Sequence, residues 1–318
     1  MLSIIIPYYN TGCLLLETIE SVEKLTLDLK DIFGSVEVII VDDGSKTYPI
    51  DNLVFPKVSF TLKIQRTSNS GVSTARNLGF DLCTGDYVLY LDSDDLFLSD
   101  AIKYLKQKKN NFADITIFKY KKFSELDELN DIVQNEELCS KNFTNNYILG
   151  NLKGLVHLGS CIFKKRFIES NKVSFDSEYK YGEDQSYLID LLLSKPNLDV
   201  TNVSLLGYRY NQNSAMNQFT ESRFDVVDML IEKYNNSIYK IKDLQVDFWN
   251  RIITELDYNC RLYILNNANC NVIEFIKVQV KPRINNIEMS TIKKYKIYSG
   301  LIIYKLYRYV KKNSNIFN

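Results

Sequence analysis

Apolar segments of strand length near the start of the chain constrain its fold more than any other sequence feature. The runs LSIIIPYY, VEVIIVDDGS and YVLYLD are rich in β-branched and aromatic residues, and the more polar FTLKIQR lies between the last two. Apolar residues at helical spacing follow the first run and FTLKIQR. Continuous apolar strands that alternate with helices are typical of a parallel-rich sheet covered on both faces. We therefore predict an α/β fold with FTLKIQR as a candidate edge strand.

The later part of the chain predicts a different organisation. A strand at DITIFKYKKF, a helix from YGEDQSYLIDLLLS and a strand at about 203–210 continue the α/β pattern, and Ser99 is a candidate cap for a helix through Lys109. From Ser222 onward two helical apolar stripes follow: Phe224, Val227, Ile231, Tyr234 and Ile238, then Trp249, Ile252, Leu256, Cys260 and Tyr263. We predict an α/β domain over residues 1–215 and a helical C-terminal region over 216–318.

Composition excludes several classes of protein. The 39 basic and 39 acidic residues give zero formal net charge, so no overall positive charge attracts nucleic acid. The six cysteines form no CxxC pair and His157 is the single histidine, which argues against a zinc site and a disulfide framework. We expect most cysteines to be buried in a reducing compartment. Without a secretory signal or an apolar run of membrane-spanning length, the sequence predicts a cytoplasmic protein.

Two predicted strands end in clusters of acids, Asp42-Asp43 and then Asp92, Asp94 and Asp95. Ligands of open parallel sheets bind where the carboxyl ends of the strands meet, so the clusters are expected to converge on one site. Carboxylates at a strand end suit Mg²⁺ or Mn²⁺, which bind a few protein oxygens together with substrate phosphates. The alternative is that Asp94 and Asp95 form only a turn and a helix entry.

Five motifs carry a resemblance to a known family. SIIIPYYN, VIIVDDGS, NSGVSTARNLG, GDYVLYLDSDD and YGEDQSYLIDLL stand in the order and approximate spacing of the family 2, GT-A-fold inverting glycosyltransferases. The similarity covers about residues 1–215. It implies a GT-A mixed sheet flanked by helices, with a helical C-terminal region. It also implies an enzyme that uses Mn²⁺ or Mg²⁺ to transfer a sugar from a UDP-sugar, with inversion to a β-glycoside.

The resemblance implies roles for residues at the ends of the first two strands. Pro7 and Tyr9 would lie beside the nucleotide, with Tyr9 stacked on the base, whereas the alternative for Tyr9 is a core aromatic. Asp42 and Asp43 would recognise the nucleoside, since an acceptor carboxylate suits the N3–H of uracil. For Asp42 the alternative is an Asx turn ended by Gly44.

The resemblance also implies roles in donor binding for the loop before the second helix and for the aspartates after the fourth strand. Asn69, Gly71 and Arg76 would brace the nucleotide, because free N–H groups at a helix start attract anions and a guanidinium offers a fork of donors. Alone, Arg76 would be a solvated helix cation. Asp92 is then a ribose or metal contact and Asp94 the metal ligand. Ser93 and Asp95 complete the predicted donor site.

Glu183 and Asp184 are the predicted catalytic pair. By resemblance they begin a helix beneath the acceptor, and Asp184 is the general base that takes the proton of the acceptor hydroxyl. Acids that complement the positive end of a helix are the alternative. Arg209, in YRYNQNSAMN, is implied to contact the diphosphate, or else is a surface cation. His157 is expected on the acceptor side or in a structural role.

Partners follow from the resemblance and from the basic tail, residues 289–318. The tail contains lysines, tyrosines and Arg308 but no acid, so it predicts peripheral contact with an anionic membrane surface or a helix packed on the globule. Relatives with lipid-linked acceptors imply a saccharide acceptor, polyprenyl-diphosphate-linked, in O-antigen or capsule-type synthesis at the inner face of the plasma membrane.

Three other functions fit the sequence less well. A sugar nucleotidyltransferase would carry a glycine-rich, basic phosphate loop, which IIIPYYNTGC lacks. A glycosidase needs a second carboxylate paired with Asp184, and no such pair is identifiable. A catalytically inactive nucleotide-sugar-binding subunit of a synthase complex is disfavoured by the presence of Asp92, Asp94 and Asp184.

Overall fold

The computed structural model describes residues 1–126, 137–210, 220–238, 241–266 and 272–285. Two compact units divide the chain: the described residues of Met1–Glu178 and Glu183–Gln212 form the first, and Tyr179–Gly182 with the described residues from 220 onward form the second. The predicted division between residues 215 and 216 stays a prediction. The basic tail lies outside the described residues.

One mixed sheet dominates the first unit. Within the described residues its strands have the order β3-β2-β1-β4-β7-β6-β8-β5. Their bounds are β1 Leu2–Tyr8, β2 Val36–Asp42, β3 Thr61–Arg66, β4 Tyr87–Tyr90, β5 Leu96–Phe97, β6 Ile115–Phe123, β7 Cys161–Lys164 and β8 Leu198–Arg209. The three pairs β1–β2, β1–β4 and β2–β3 are parallel, whereas β7 is antiparallel to both of its neighbours. The sheet confirms the predicted fold class, with β3 at the edge.

Helices cover the sheet and form most of the second unit. In the first unit they are α1 Leu14–Phe33, α2 Val72–Leu82, α3 Asp100–Lys108, α4 Phe143–Ile148, α5 Lys165–Asn171 and α6 Glu183–Leu193. In the second they are α7 Asp225–Asn236, α8 Gln245–Asn266, α9 Val272–Phe275 and α10 Lys281–Asn285, with a π-helical turn at Ile276–Val280. No helix in the described ranges combines the length and the apolar character needed to cross a bilayer.

Two local expectations need correction, and one is confirmed. The helix α3 follows Ser99, but the Ser99 side chain makes no capping hydrogen bond because its backbone is already helical. The strand β8 begins at Leu198 rather than at about 203, since its first residues pair with β6 ahead of a shift in register. Among the described residues most cysteines are buried, as expected: Cys83, Cys161 and Cys260 are buried, and Cys13 and Cys139 are exposed. Cys270 lies outside the described residues.

The apolar strands and helix stripes predicted from the sequence form much of the cores of the two units. Every residue of β1 and β2 is buried, as predicted for strands covered on both faces. In the second unit the first predicted stripe is fully buried. In the second stripe Ile252, Leu256 and Cys260 are buried, while Trp249 and Tyr263 remain partly accessible.

Close packing of α2 on β1 fixes the position of the part of α2 that carries Arg76. A Cβ atom on Gly79 would lie 2.3 Å from Cγ2 of Ile5, so only glycine allows this approach. Arg76 lies three residues before Gly79 on the same helix. The close approach therefore holds Arg76 against the ends of the central parallel strands.

Candidate active site

One cavity of about 360 Å³ opens at the carboxyl ends of β1, β2 and β4. Parallel pairing sets β1 between the other two strands, so the loops that follow all three meet at one edge. Nine of the residues predicted from the sequence line the cavity: Pro7, Tyr9, Asp43, Asn69, Gly71, Arg76, Asp92, Ser93 and Asp94. Five others do not line it: Asp42, Asp95, Glu183, Asp184 and Arg209.

The two aspartates after β2 have different surroundings. Asp42 is fully buried, and its Oδ1 accepts the backbone N–H of Ser45 at 2.8 Å. This is the Asx turn that the sequence left open. Asp43 lines the cavity, and its two carboxylate oxygens accept the backbone N–H groups of Ser70 and Gly71 at 2.7 and 2.8 Å. Those N–H groups were expected to be free to bind an anion, but they donate to the carboxylate of Asp43 instead.

Tyr9 is the aromatic residue most open to the cavity. Its side chain is 49% exposed, while the preceding Tyr8 is buried with the strand. The position agrees with an aromatic surface beside a ligand rather than with a core residue. Thr11, two residues later, donates from Oγ1 to Oγ of Ser93 at 3.0 Å, which connects the loop after β1 to the loop after β4.

Arg76 connects two acids that are far apart in sequence. Its guanidinium donates to Asp92 at 3.0 Å and to Glu183 at 3.1 Å, with 6% of the side chain exposed. Burial opposes the charge, but these two carboxylates raise the pKa of Arg76 above its ordinary value. Arg76 is therefore neither a solvated cation nor a fork left open for a nucleotide. It lines the cavity while it holds the Asp92 loop and the start of α6 together.

The loop of aspartates after β4 is held from a second side by Arg209. The backbone N–H of Arg209 donates to Oδ1 of Asp95 at 2.8 Å, and its Nε donates to the carbonyl oxygen of Asp94 at 2.9 Å. A terminal nitrogen of the same guanidinium donates to Glu17 on α1. Arg209 thus orders the loop. Its guanidinium is already hydrogen-bonded to Asp94 and Glu17, so it is not left free for the expected contact with a diphosphate.

Negative charge exceeds positive charge around the cavity. Burial and the neighbouring Asp92 raise the pKa of Asp94 to about 6. Burial, Asp92 and Asp94 raise the pKa of Asp95 well above its ordinary value. Burial and Asp184 raise the pKa of Glu183 to about 7, although Arg76 opposes this. Asp92 alone among these has a lowered pKa: burial opposes ionisation, but the guanidinium of Arg76 outweighs it.

The predicted catalytic pair begins α6, as the sequence indicated. Glu183 and Asp184 are its first two residues, and the carboxylate of Asp184 accepts the backbone N–H of Gln185 at 2.7 Å. Asp184 lies close enough to act electrostatically on Arg76 and on His157. The pair therefore lies next to the aspartate loop, across Arg76 from Asp92.

The carboxylates beside the cavity fit a divalent cation. Oδ2 of Asp95 is buried without a hydrogen-bond partner among the described residues, which a cation would relieve. Asp92, Asp95 and His157 each offer a candidate ligand atom, and the three atoms lie within 4.8 Å of one another. However, Nδ1 of His157 accepts the backbone N–H of Gly159 at 3.2 Å. The neutral ring then carries its hydrogen on Nε2, so carboxylate oxygens, which hard cations prefer, are the fitting ligands.

Sequence reasoning missed several residues of the site. Tyr8, Thr11, Val72 and Ala75 also line the cavity. Each lies in or directly after one of the five family motifs, so those motifs could have identified it as a residue of the site. Glu17 had no such signal, because its link to Arg209 joins residues separated by 192 positions.

Comparison with known proteins gives a family for this chain. A sequence model described as Glycosyl transferase family 2 matches residues 3–170. Poly(ribitol-phosphate) beta-glucosyltransferase of Bacillus spizizenii is 29% identical over 214 residues, which are 63% of this chain and 31% of that protein. Poly(ribitol-phosphate) beta-N-acetylglucosaminyltransferase TarP of Staphylococcus aureus is 28% identical over 265 residues, which are 80% of this chain and 78% of that one.

A solved structure confirms the fold. Residues 1–349 of S. aureus TarS, in complex with UDP-GlcNAc, match 90% of this chain and 79% of that one, with a TM-score of 0.59 at 20% identity. The present chain thus spans about a third of the first relative and more than three quarters of TarP, but only 46% of the longer TarS chain whose structure is solved. The mixed sheet is a GT-A-like fold.

Proposed function

The chain belongs to glycosyl transferase family 2, and from that premise we propose that it is an inverting glycosyltransferase that moves a sugar from a UDP-sugar to a saccharide acceptor. The observation that carries the proposal is the convergence on one cavity of Asp43, Asp92 and Asp94 with the exposed face of Tyr9. These side chains come from the ends of three neighbouring parallel strands, where open α/β sheets bind their ligands.

The nucleotide has its complementary groups on the β1 and β2 side. The exposed ring of Tyr9 supplies a stacking face for a base. Asp43 keeps acceptor lone pairs beyond the two that Ser70 and Gly71 use, so it can accept the N3–H of uracil. The complexes of TarS with UDP and with UDP-GlcNAc support a uridine nucleotide as the donor carrier.

The diphosphate is proposed to bind beside the aspartate loop, where Asp94 and Asp92 would hold a Mg²⁺ or Mn²⁺ ion, which would supply positive charge for the leaving nucleotide. Asp94 is the better placed of the two, because Asp92 is already paired with Arg76. Oδ2 of Asp95, which is buried without a hydrogen-bond partner among the described residues, is a further candidate ligand, while Ser93 and Arg209 keep this loop in position.

The reaction that fits this arrangement is a single displacement. Asp184 takes the proton of the acceptor hydroxyl while the acceptor oxygen bonds to the anomeric carbon and the bond to the nucleotide breaks. Attack from the side opposite the leaving group inverts the configuration, so an α-linked donor gives a β-glycoside. The word beta in the names of the two curated relatives supports this stereochemistry.

The acceptor is proposed to be a chain of a bacterial surface polysaccharide. The names of the two curated relatives support a wall polymer such as poly(ribitol phosphate). A polyprenyl-diphosphate-linked saccharide of O-antigen or capsule type remains our proposal from the sequence. From the basic tail we propose that the enzyme works peripherally on the inner face of the plasma membrane. Truncation of the chain after Met289 should then release it from anionic liposomes.

A thermal-shift screen tests the donor. A ligand present at about 100 times its Kd stabilises a protein by about 2.7 kcal/mol, which raises the Tm measurably. We expect UDP with Mn²⁺ to raise the Tm and GDP with Mn²⁺ to leave it unchanged. UDP-sugars that stabilise the protein then enter transfer assays with surface-polymer acceptors. If no nucleoside diphosphate binds with or without metal, the proposed function is wrong.

A further inference from the structure

The side chain of Asn10 fills a ring of backbone N–H groups beside the donor cavity. Oδ1 of Asn10 accepts the N–H groups of Lys46, Thr47 and Tyr48 at 3.0, 2.9 and 3.2 Å. The N–H of Asn10 itself donates to Oγ of Ser45 at 2.9 Å. Four hydrogen bonds thus join one residue after β1 to four consecutive residues after β2.

The backbone of Asn10 is adapted to this position. Its φ is +57°, in the left-handed region that asparagine, aspartate and glycine tolerate better than other residues. Three consecutive N–H groups that point at one centre resemble the concave backbone sites that bind anions. In this protein an amide oxygen occupies the centre, so the exposed loop 46–48 is fixed without any contribution from a ligand.

The neighbours of Asn10 in sequence are the residues that line the cavity. Tyr9 precedes it and Thr11 follows it, and Thr11 is in turn hydrogen-bonded to Ser93 in the aspartate loop. On the other side, the hydroxyl of Tyr8 donates to the carbonyl oxygen of Tyr48 at 2.5 Å. Asn10 is therefore the central junction between the loop that carries Tyr9 and the loop that carries Asp43.

We propose that Asn10 is a positioning residue for the donor nucleotide, which sets the Tyr9 ring at a fixed distance from Asp43 before the donor binds. The inference rests on the proposed function, because it takes the cavity to bind a nucleoside diphosphate. A partly exposed aromatic ring binds with less loss of conformational entropy when its backbone is already held. Asn10 acts through Tyr9 and Asp43, and its loss should weaken ground-state binding of the nucleotide more than it slows the chemical step.

Three substitutions separate the hydrogen bonds from the backbone conformation. Asn10→Gly keeps access to positive φ but removes the acceptor. Asn10→Ala removes the acceptor and also strains the backbone. Asn10→Asp keeps both features. The matched control is Asn142→Ala, because Asn142 has a φ of +56°, makes no capping hydrogen bond through its side chain and does not line the cavity.

The test measures the Kd of UDP by calorimetry with Mn²⁺ present, together with KM and kcat for the UDP-sugar found in the screen. Loss of hydrogen bonds of ordinary strength predicts that Asn10→Gly and Asn10→Ala raise the Kd and KM about tenfold, while kcat stays within about twofold. Asn10→Asp should restore the Kd to within about threefold of the unsubstituted protein. Asn142→Ala should leave the Kd unchanged, although it carries the same backbone strain.

Two results would overturn the inference. One is an unchanged Kd for Asn10→Gly in a protein whose Tm confirms that it is folded. The other is a fall in kcat without a change in KM, which would place Asn10 in the chemical step. Failure of the proposed function is distinguishable from both, since the unsubstituted protein would then bind no UDP.

Discussion

The guanidinium of Arg76 lies 3.1 Å from the carboxylate of Glu183, although 107 positions of the sequence separate the two residues. A second nitrogen of Arg76 reaches Asp92 at 3.0 Å, so one buried cation serves two acids. Ion pairs of this kind depend on both partners, because the loss of one leaves an uncompensated charge away from water. The arrangement ties the aspartate loop after β4 to the first turn of α6, where the proposed general base lies.

Replacement of Arg76 should therefore cost stability as well as activity. Arg76→Gln leaves Asp92 and Glu183 without their cation, and we expect the free energy of unfolding in urea to fall by about 3–5 kcal/mol. The double substitution Arg76→Gln with Glu183→Gln should lose less than the sum of the single losses, because it removes one unpaired acid. Additive losses would contradict the coupling.

An exposed ion pair provides the comparison for Arg76. Nζ of Lys106 lies 2.6 Å from Asp28, but both side chains are more than 40% exposed. Lys106→Gln should change the free energy of unfolding far less than Arg76→Gln does, since water screens such pairs. The difference between the two substitutions measures the effect of burial.

Replacement of Asp184 separates binding from chemistry. Asp184→Asn keeps the shape of the side chain but removes the base, so turnover should fall by about two to four decades while the Kd of UDP is retained. The measurements are steady-state kinetics and calorimetry. Asp190→Asn, a matched change later on α6, should keep nearly normal turnover. Nearly normal turnover of Asp184→Asn would refute the assignment of the base.

Replacement of Asp94 tests the metal. Asp94 lines the cavity and lies beside Asp92, so it is the proposed ligand that a cation bound to the diphosphate can reach from the cavity. Asp94→Asn should abolish the rise in Tm that Mn²⁺ adds to UDP. The Tm of the ligand-free protein should not fall, because the substitution relieves repulsion between carboxylates. Asp100→Asn, at the start of α3, is the control and should keep the effect of Mn²⁺; an undiminished effect in Asp94→Asn would assign the metal elsewhere.

Glu37 gives the fold a dependence on pH outside the cavity. This buried carboxylate accepts hydrogen bonds from the hydroxyl of Ser3 and the N–H of Thr84, both at 2.6 Å, and lies 2.7 Å from Nζ of Lys63. Burial alone would raise its pKa, but these contacts lower the pKa to about 2 from an ordinary value of 4.5. A pKa depressed by folding stabilises the protein above about pH 4.5, and the stabilisation is lost as the pH falls towards 2.

Glu37→Gln should accordingly lower the free energy of unfolding at neutral pH by about 1–3 kcal/mol. It should also flatten the decline of that free energy with pH between 4.5 and 2. Urea unfolding at a series of pH values measures both effects. Glu20→Gln, an exposed change on α1, should keep the original slope. A slope unchanged by Glu37→Gln would show that another group titrates.

Local sequence pattern was sufficient to predict many of the strands and helices of this protein. Apolar strands that end in Asp42 and Asp92 predicted a parallel core, and helical spacing predicted α1, α2, α6 and the stripes of the second unit. Asp43, Asp92 and Asp94 were predictable in the same way, because the end of a strand in a parallel sheet already defines one edge, whereas the other six predicted residues that line the cavity came from the family resemblance.

The sequence determined which elements form and which residue types stand at their ends, since periodicity and turn chemistry are local properties of the chain. Tertiary structure alone decided how those side chains are used. Arg76 could be a solvated cation, a phosphate contact or a buried bridge, and only the approach of α6 made it a bridge. Likewise Asp43 accepts N–H groups from 27 and 28 residues away, and Arg209 finds Glu17 across 192. A hydrogen bond requires atoms within about 3 Å, and distance in space between remote residues is set by the packing of the whole sheet.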